Sequence, residues 1–139
     1  LLGDQTLWWV MNDADSAQHL NRNATKPMGL EVHVSAFGFD NMGPLSNMLF
    51  YEWTIYNKSE TTFDDTYIGL WDDVDLGDAS DDLVACDPTL NMGISYNPPY
   101  DATYHTRPPA FAFQLLHGPN AGSIRAPQRL GMTSFTYFW

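Results

Sequence analysis

The stretch "NMLFYEWTIYNKS", residues 47–59, alternates its side chains with a period of two. One side of the alternation is apolar, with Leu49, Tyr51, Trp53 and Ile55. The other side is mixed, with Phe50, Glu52, Thr54 and Tyr56. Alternation that is rich in aromatic and β-branched residues is typical of a β-strand with two different faces. The stretch therefore predicts a strand.

The same pattern extends in both directions along the chain. In "GLEVHVSAFGF", residues 29–39, Val32 and Val34 alternate with Glu31 and His33. Six further stretches have strand-like composition: residues 6–12, 65–71, 82–86, 92–97, 110–116 and 133–139. Turn-forming residues separate them at 40–44, 57–62, 97–101, 107–109 and 117–123. We expect little helix beyond one turn near residues 15–21.

Short strands separated by Gly, Pro and Asn predict an all-β protein, namely a single antiparallel β-sandwich of about eight strands, with a β-barrel as the alternative. The chain has 139 residues, which suits one domain with a hydrophobic core. We therefore expect residues 1–139 to form one β-sandwich domain. The chain ends in the apolar, strand-like run "MTSFTYFW", so we expect it to be excised from a longer protein.

Composition restricts the possible partners. The formal net charge is -11, with 6 Lys and Arg against 17 Asp and Glu, so nucleic acids and anionic lipid surfaces are repelled and cations are favoured. No run of apolar residues is long enough to predict membrane insertion. No catalytic pattern is recognisable, and we expect no enzymatic activity. The single cysteine, Cys86, is expected to be a buried structural thiol.

An acidic stretch, "WDDVDLGDASDDLVACD" at residues 71–87, contains seven of the chain's carboxylates. Two carboxylates about 6 Å apart repel by roughly 3 kcal/mol at an effective dielectric of about 20. We expect the stretch to be a loop between two strands, where a shared cation would relieve this repulsion. The alternative is a solvated acidic hairpin that aids solubility.

The spacing of the acidic stretch indicates which cation. Asp73, Asp75, Gly77 and Asp81 fit positions 1, 3, 5 and 9 of an EF-hand loop, but Asp78 occupies the position of the invariant glycine. An oxygen-only loop that is not an EF-hand favours Ca²⁺, whereas widely spaced histidines and one cysteine disfavour Zn²⁺. The expected ligands are Asp73, Asp75, Gly77 through its carbonyl, Asp78, Asp81, Asp82 and Asp87.

A second acidic pair, Asp13 and Asp15, follows the first predicted strand. These two residues could share the ion of the acidic stretch or hold another one. The alternative is that they form Asx turns and cap a short helical turn.

Aromatic residues are abundant, and an exposed row of rings could stack on sugars. The alternative is that both sheet faces are covered and the rings belong to the core. Trp8 and Trp9 are adjacent, so within a strand they point to opposite sides. The acceptor pattern for N-glycosylation occurs at residues 23–25 and 57–59.

Four stretches together resemble a domain of large secreted proteins from Bacteroidetes-type bacteria, many of which end in a type IX secretion sorting domain. They are "LWWVMNDADSAQH", "MGLEVHVSAFGF", "LFYEWTIYNKS" and "YIGLWDDVDLGDASDDLVACD". The last carries the most specific pattern, D-x-D-x-G followed by D-D-x-x-x-C-D, at Asp73, Asp75, Gly77, Asp81, Asp82, Cys86 and Asp87. Asp72 departs from the small residue of that pattern. The resemblance implies an exported, extracellular or cell-surface β-rich module.

The sequence thus leads to three hypotheses about function. The first is an extracellular module with a structural Ca²⁺ loop that serves adhesion, display or assembly beside neighbouring protein domains. The second is a carbohydrate-binding or glycan-active module that uses exposed aromatic residues. The third is a subunit of an extracellular filament whose apolar ends pair with neighbouring chains.

Overall fold

The computed structural model describes residues 2–18, 25–97, 99–123 and 125–137. The chain divides into two compact units, residues 1–67 and 68–139. Each unit is built from antiparallel β-structure.

The first unit is a three-stranded sheet in the order β1-β2-β3. Its strands are β1 (Gln5–Asn12), β2 (Leu30–Gly38) and β3 (Phe50–Asn57), and a short 3-10 helix, Pro44–Asn47, lies in the connection before β3. The sequence predicts all three strands, β2 and β3 from the period-two alternation and β1 from its strand-like composition. The described part of the predicted helical turn, residues 16–18, is helical, while residues 19–21 lie outside the described part of the chain.

The register of this sheet separates its side chains into two faces. Val34 is paired with Trp9 on one side and with Trp53 on the other, and it is completely buried. We call this side the apolar face; it consists of Leu7, Trp9, Met11, Val32, Val34, Ala36, Tyr51, Trp53 and Ile55. The polar face, on the other side, consists of Trp8, Val10, Asn12, Glu31, His33, Ser35, Glu52, Thr54 and Tyr56, with Thr6, Phe37 and Phe50 at one end. Trp8 and Trp9 point to opposite faces, as expected.

The second unit contains the remaining strands. A sheet in the order β4-β5-β6 consists of β4 (Leu83–Asp87), β5 (Met92–Tyr96) and β6 (Phe111–Gln114). A separate hairpin pairs β7 (Asn120–Ser123) with β8 (Ala126–Arg129). The turn between β4 and β5 is closed by Asp87, whose Oδ1 accepts hydrogen bonds from the backbone amides of Thr89 and Leu90.

The predicted all-β, antiparallel class is confirmed. The part of the chain that the structure describes has eight strands in three open sheets, which agrees with a sandwich-like fold, and none of these sheets closes into a barrel. Among the described residues, no helix is long and apolar enough to cross a membrane.

Two of the predicted strands are wrong. Residues 65–71 pair with no strand, and Asp65 has a left-handed backbone (φ 49°) that interrupts an extended chain. Residues 133–137 are also irregular, while Phe138 and Trp139 lie outside the described residues. Conversely, β7 lies in a segment predicted to be a turn, and β8 was not predicted. The two strands form because their backbones pair with each other, although their composition is poor in typical strand residues.

The expectation that Cys86 is buried is also wrong, because its side chain is exposed. The cysteine lies on β4, which is an edge strand, and it pairs with Gly93, which has no side chain to cover it. The aromatic residues are less buried than they would be if the rings belonged to the core. Trp8 is 62% exposed, and Tyr51 and Trp53 are each 46% exposed.

Val34 offers a test of the first unit's packing. Replacing Val34 by Ala removes two methyl groups from a fully buried position, and we expect it to destabilise the protein by about 2 kcal/mol, or about 7 °C in Tm. Val84→Ala is the matched control, because Val84 is 40% exposed and its loss should cost less than about 0.5 kcal/mol. Thermal melting followed by circular dichroism measures both. Equal effects would show that Val34 does not lie in the core.

Candidate functional site

The acidic loop, defined here as residues 72–82, lies in the second unit and leads directly into β4. The residues before it, 65–71, are not a strand, so the loop does not connect two strands as expected. Its conformation therefore depends on contacts from side chains and from other segments of the chain.

The most buried of these contacts comes from Asp101, which lies outside the acidic stretch and whose side chain is completely buried. Its Oδ2 accepts a hydrogen bond from the amide of Asp78 at 2.9 Å. Its Oδ1 accepts from the amides of Thr103 at 2.8 Å and Tyr104 at 2.7 Å. These donors, with the Asp78 amide foremost, lower the pKa of Asp101 and keep it charged. Asp101 thus ties the loop to residues 101–104.

Sequence reasoning missed Asp101. The segment "NPPYD" was read as a turn, and Asp101 stands 14 residues beyond Asp87, the end of the acidic stretch. A signal was present, because an aspartate that starts a turn commonly accepts hydrogen bonds from the amides two and three residues later. That signal predicts the local turn but not the contact with Asp78.

Gly77 lies directly against the Asp101 carboxylate. Its backbone is left-handed (φ 89°), and an added Cβ would lie 2.6 Å from the Cγ and Oδ2 of Asp101. A glycine is therefore required here for close approach and for backbone conformation. The sequence pointed to Gly77 as a carbonyl ligand; the structure adds this steric reason for its presence.

A second point of attachment lies at the open end of the β4–β5 hairpin. Asp82 directly precedes Leu83 and Asn97 directly follows Tyr96, the pair that ends the ladder, so both residues lie at the open end of the hairpin. The Oδ2 atom of Asp82 accepts a hydrogen bond from the amide of Leu76 at 3.1 Å. We call Asp81, Asp82 and Asn97 the hairpin mouth.

Two oxygen atoms of the hairpin mouth are buried without a hydrogen-bond partner. They are Oδ1 of Asp82 and Oδ1 of Asn97. The amide nitrogen of Asn97 is used, because it donates to Oδ1 of Asp81 at 2.7 Å. A buried acceptor without a donor costs about 1–3 kcal/mol, and more if it is charged. The hairpin mouth therefore contains two acceptor oxygens that a hydrogen-bond donor or a cation could satisfy.

Two other predicted ligands are engaged by their own neighbours. Asp78 accepts from the amide and the hydroxyl of Ser80. Asp87 accepts from the hydroxyl and the amide of Thr89 and from the amide of Leu90. The side-chain hydrogen bond from Ser80 is the main cause that lowers the pKa of Asp78, and that from Thr89 does the same for Asp87.

The beginning of the acidic loop carries the least compensated charge. Asp73 and Asp75 are exposed. Burial raises the pKa of the neighbouring Asp72, and the negative charge of Asp73 raises it further. In the described parts of the chain, no three or more His, Cys, Asp or Glu side chains are arranged to hold a metal ion. A cation here would need Asn or backbone oxygens among its ligands.

Of the two acids in the first unit, Asp15 makes the turn contacts that the alternative interpretation described, whereas Asp13 contacts a distant segment of the chain. Asp13 accepts hydrogen bonds from the amides of Met28, Gly29 and Leu30. Burial acts to raise the pKa of Asp13, but these amides, with Met28 foremost, outweigh it and lower the pKa. Asp15 caps the helical turn through the amides of Ala17 and Gln18.

Comparisons with protein-family models, with curated proteins and with solved structures find no match. The resemblance to a secreted bacterial domain therefore stays a prediction.

The contact between Gly77 and Asp101 can be tested by a substitution that adds one methyl group at Gly77. We expect Gly77→Ala to destabilise the protein by at least about 2 kcal/mol, because it combines a left-handed backbone with a steric clash. Gly69→Ala is the control, because a Cβ there meets no atom within 4 Å. Thermal melting of both variants provides the measurement. A tolerated Gly77→Ala would show that the loop does not pack on Asp101.

The lowered pKa of Asp101 predicts a dependence of stability on pH. The Asp101 carboxylate contributes stability that is fully present above its unfolded-state pKa of about 3.9 and is lost as the pH falls through the lower folded-state pKa. Asp101→Asn should therefore lower the Tm by more than about 5 °C at pH 6, and the difference from the wild type should shrink below about pH 3.5. Melting curves from pH 2 to 7 measure this, with Asp64→Asn as an exposed control. A difference that is constant with pH would contradict the assignment.

Proposed function

We propose that this chain is a non-enzymatic, extracellular or cell-surface β-sandwich module whose acidic loop binds Ca²⁺ for structural reasons, in the service of adhesion, display or assembly. The observation that carries the proposal is the pair of buried, unpartnered oxygens on Asp82 and Asn97. The two residues flank the terminal pair of the β4–β5 ladder, at the end of the most acidic segment of a chain with a net charge of -11.

The chemistry of the hairpin mouth suits Ca²⁺ better than other metals. Its free ligands are one carboxylate oxygen and one amide oxygen, and Ca²⁺ accepts both, together with backbone carbonyls and waters, in flexible geometry. Zn²⁺ prefers nitrogen and sulfur, and Mg²⁺ demands a stricter octahedron. A water molecule could also donate to both oxygens, and the experiment below separates the two occupants.

An ion at the hairpin mouth would act as a cross-link. The acidic loop is attached to Asp82 through the Leu76 amide and to Asp101 through the Asp78 amide. Leu76 is a buried apolar side chain, at 6% exposure. A cation on Asp82 would neutralise the carboxylate that holds Leu76 and would reduce the repulsion along the loop. Its role is therefore structural and not catalytic.

An extracellular location would supply the Ca²⁺ that the proposed site requires. Extracellular modules that bind Ca²⁺ work at dissociation constants up to the millimolar range. A site with a Kd of about 10 μM in about 1 mM Ca²⁺ would add about 2.7 kcal/mol to the stability of the fold. The secreted location itself rests on the resemblance of the acidic stretch, residues 71–87, which contains the pattern from Asp73 to Asp87.

Calcium titration followed by thermal melting tests the proposal. We expect 1 mM Ca²⁺ to raise the Tm of the chain by about 9 °C relative to EDTA. Asp82→Asn should remove most of this shift, because it replaces the charged oxygen at the hairpin mouth. Asp64→Asn is the matched control, because it removes the same charge from outside the loop and should keep the shift.

Two further conditions make the result specific. The same concentration of Mg²⁺ and an equal ionic strength of NaCl should give much smaller shifts, because neither provides a flexible oxygen-coordinated ion. A melting temperature that is identical in Ca²⁺ and EDTA would refute the proposal and would leave water as the occupant of the hairpin mouth. Equal loss of the shift in Asp82→Asn and Asp64→Asn would assign the effect to net charge.

A further inference from the structure

The polar face of the first sheet combines exposed rings with hydrogen-bonding groups. Cross-strand pairs order it into three rows, which are Asn12–Glu31–Tyr56, Val10–His33–Thr54 and Trp8–Ser35–Glu52. Every row thus carries at least two polar side chains, and the first and third rows each end in one large ring. Beyond the third row, Phe37 and Phe50 stack on each other at 5.3 Å and close that end with Phe39.

Three rings run diagonally across these rows. The Trp8 and His33 rings meet edge to face at 5.7 Å, and the His33 and Tyr56 rings lie 4.8 Å apart. Trp8 is 62% exposed and Tyr56 is 41% exposed, so the outer two rings present area to solvent while the histidine supports them from between. Exposed Trp and Tyr rings offer apolar area and a polar edge at little conformational cost.

The carboxylate between the rings is held in place. Oε1 of Glu31 accepts hydrogen bonds from Nε2 of His33 at 3.0 Å and pairs with Nζ of Lys58 at 3.2 Å. Lys58 also lies 5.2 Å over the Tyr56 ring. The side-chain hydrogen bond from His33, followed by that from Lys58, lowers the pKa of Glu31. Glu31 therefore differs from a freely solvated carboxylate, because two neighbouring side chains contact it.

A cavity of about 260 Å³ opens at the same end of the sheet. Asn12, Glu31 and Lys58 contribute to its lining together with Asp13, Ala14, Gly29 and Leu30. Its size is slightly below the about 300–1,000 Å³ of pockets that enclose drug-sized ligands. It is therefore suited to the end group of a longer ligand that extends over the rings.

We propose that the polar face binds a neutral oligosaccharide, with Trp8 and Tyr56 as stacking platforms and with Glu31 and Asn12 as hydrogen-bonding groups. A pyranose ring has an apolar face for the aromatic rings and hydroxyl groups that both donate and accept, which matches the carboxylate and amide side chains. Anionic sugars are disfavoured, because Glu31 and Glu52 share this face on a chain with a net charge of -11.

The register of the sheet also sets how far apart the two glutamates of the polar face lie. Glu31 and Glu52 lie in the first and third rows, four residues apart along the strands, which corresponds to about 13 Å. Paired carboxylates of glycoside hydrolases are at most about 9.5 Å apart. The backbone positions of these two acids are thus farther apart than such a pair of carboxyl groups, and the inference drawn from this face is binding and not hydrolysis.

Isothermal titration of the 139-residue chain with cellohexaose, xylohexaose, mannohexaose and maltohexaose tests this inference, with an oligogalacturonate as the anionic comparator. We expect at least one neutral hexasaccharide to bind and the oligogalacturonate not to bind. Trp8→Ala should weaken binding by at least about tenfold. Trp53→Ala is the matched control on the apolar face and should leave the affinity within about twofold. Titrations in EDTA keep the outcome independent of the calcium proposal.

A second measurement does not depend on the folding of the Ala variant. The measurement is the NMR signal of each indole N–H group in the unaltered chain, with the Trp8 signal assigned through Trp8→Phe. The Trp8 signal should shift on addition of the bound sugar, while the Trp53 signal should not. Failure of all four neutral sugars to bind at millimolar concentration would overturn the inference. Binding that Trp8→Ala and Trp53→Ala weaken equally, or that shifts Trp53 instead, would also overturn it, because it would place the sugar elsewhere.

Discussion

The buried carboxylate of Asp101 is the constraint on which the acidic loop depends. It gathers the amides of Asp78, Thr103 and Tyr104, and it leaves no room for a side chain at Gly77. Asp101, from outside the loop, and Asp82, its last residue, thus hold the loop by accepting its backbone hydrogen bonds. Much of the acidity of this region is therefore used to satisfy amide and hydroxyl donors. Acceptor oxygens without a partner remain at the hairpin mouth.

The strands that the sequence predicts correctly are those whose structure follows from a pattern within a single segment. In β1, β2 and β3 the two faces differ, so a period of two identifies each strand within a few residues. Residues 65–71 have similar composition, yet no partner strand pairs with them and Asp65 turns the backbone. β7 and β8 show the reverse case, because they are poor strand formers that are held by pairing with each other. Pairing is a property of two segments, and a pattern within one segment does not reveal it.

The same distinction explains what the sequence revealed of the site. The density of charge along the chain located the acidic loop. It could not distinguish the acids that cap local turns, such as Asp78 and Asp87, from Asp82, which has an oxygen without a partner. Asn97 is neutral and 15 residues away, so no count of charge could include it; only the register of the β4–β5 hairpin places it opposite Asp82. Asp101 became visible for the same reason, through one hydrogen bond to a residue 23 positions earlier.

The two faces of the first sheet show how one alternation can serve two purposes. The apolar face places Val34 out of solvent between Trp9 and Trp53, so its composition follows from the need for a core. That need does not explain the polar face, where Trp8 remains more exposed than Trp9 although the two residues are adjacent. Solubility does not explain it either, because a solvated glutamate has no need of two side-chain partners, and Glu31 has both His33 and Lys58. Exposed rings beside a carboxylate with two side-chain partners are the combination on which the proposed binding of a neutral oligosaccharide rests.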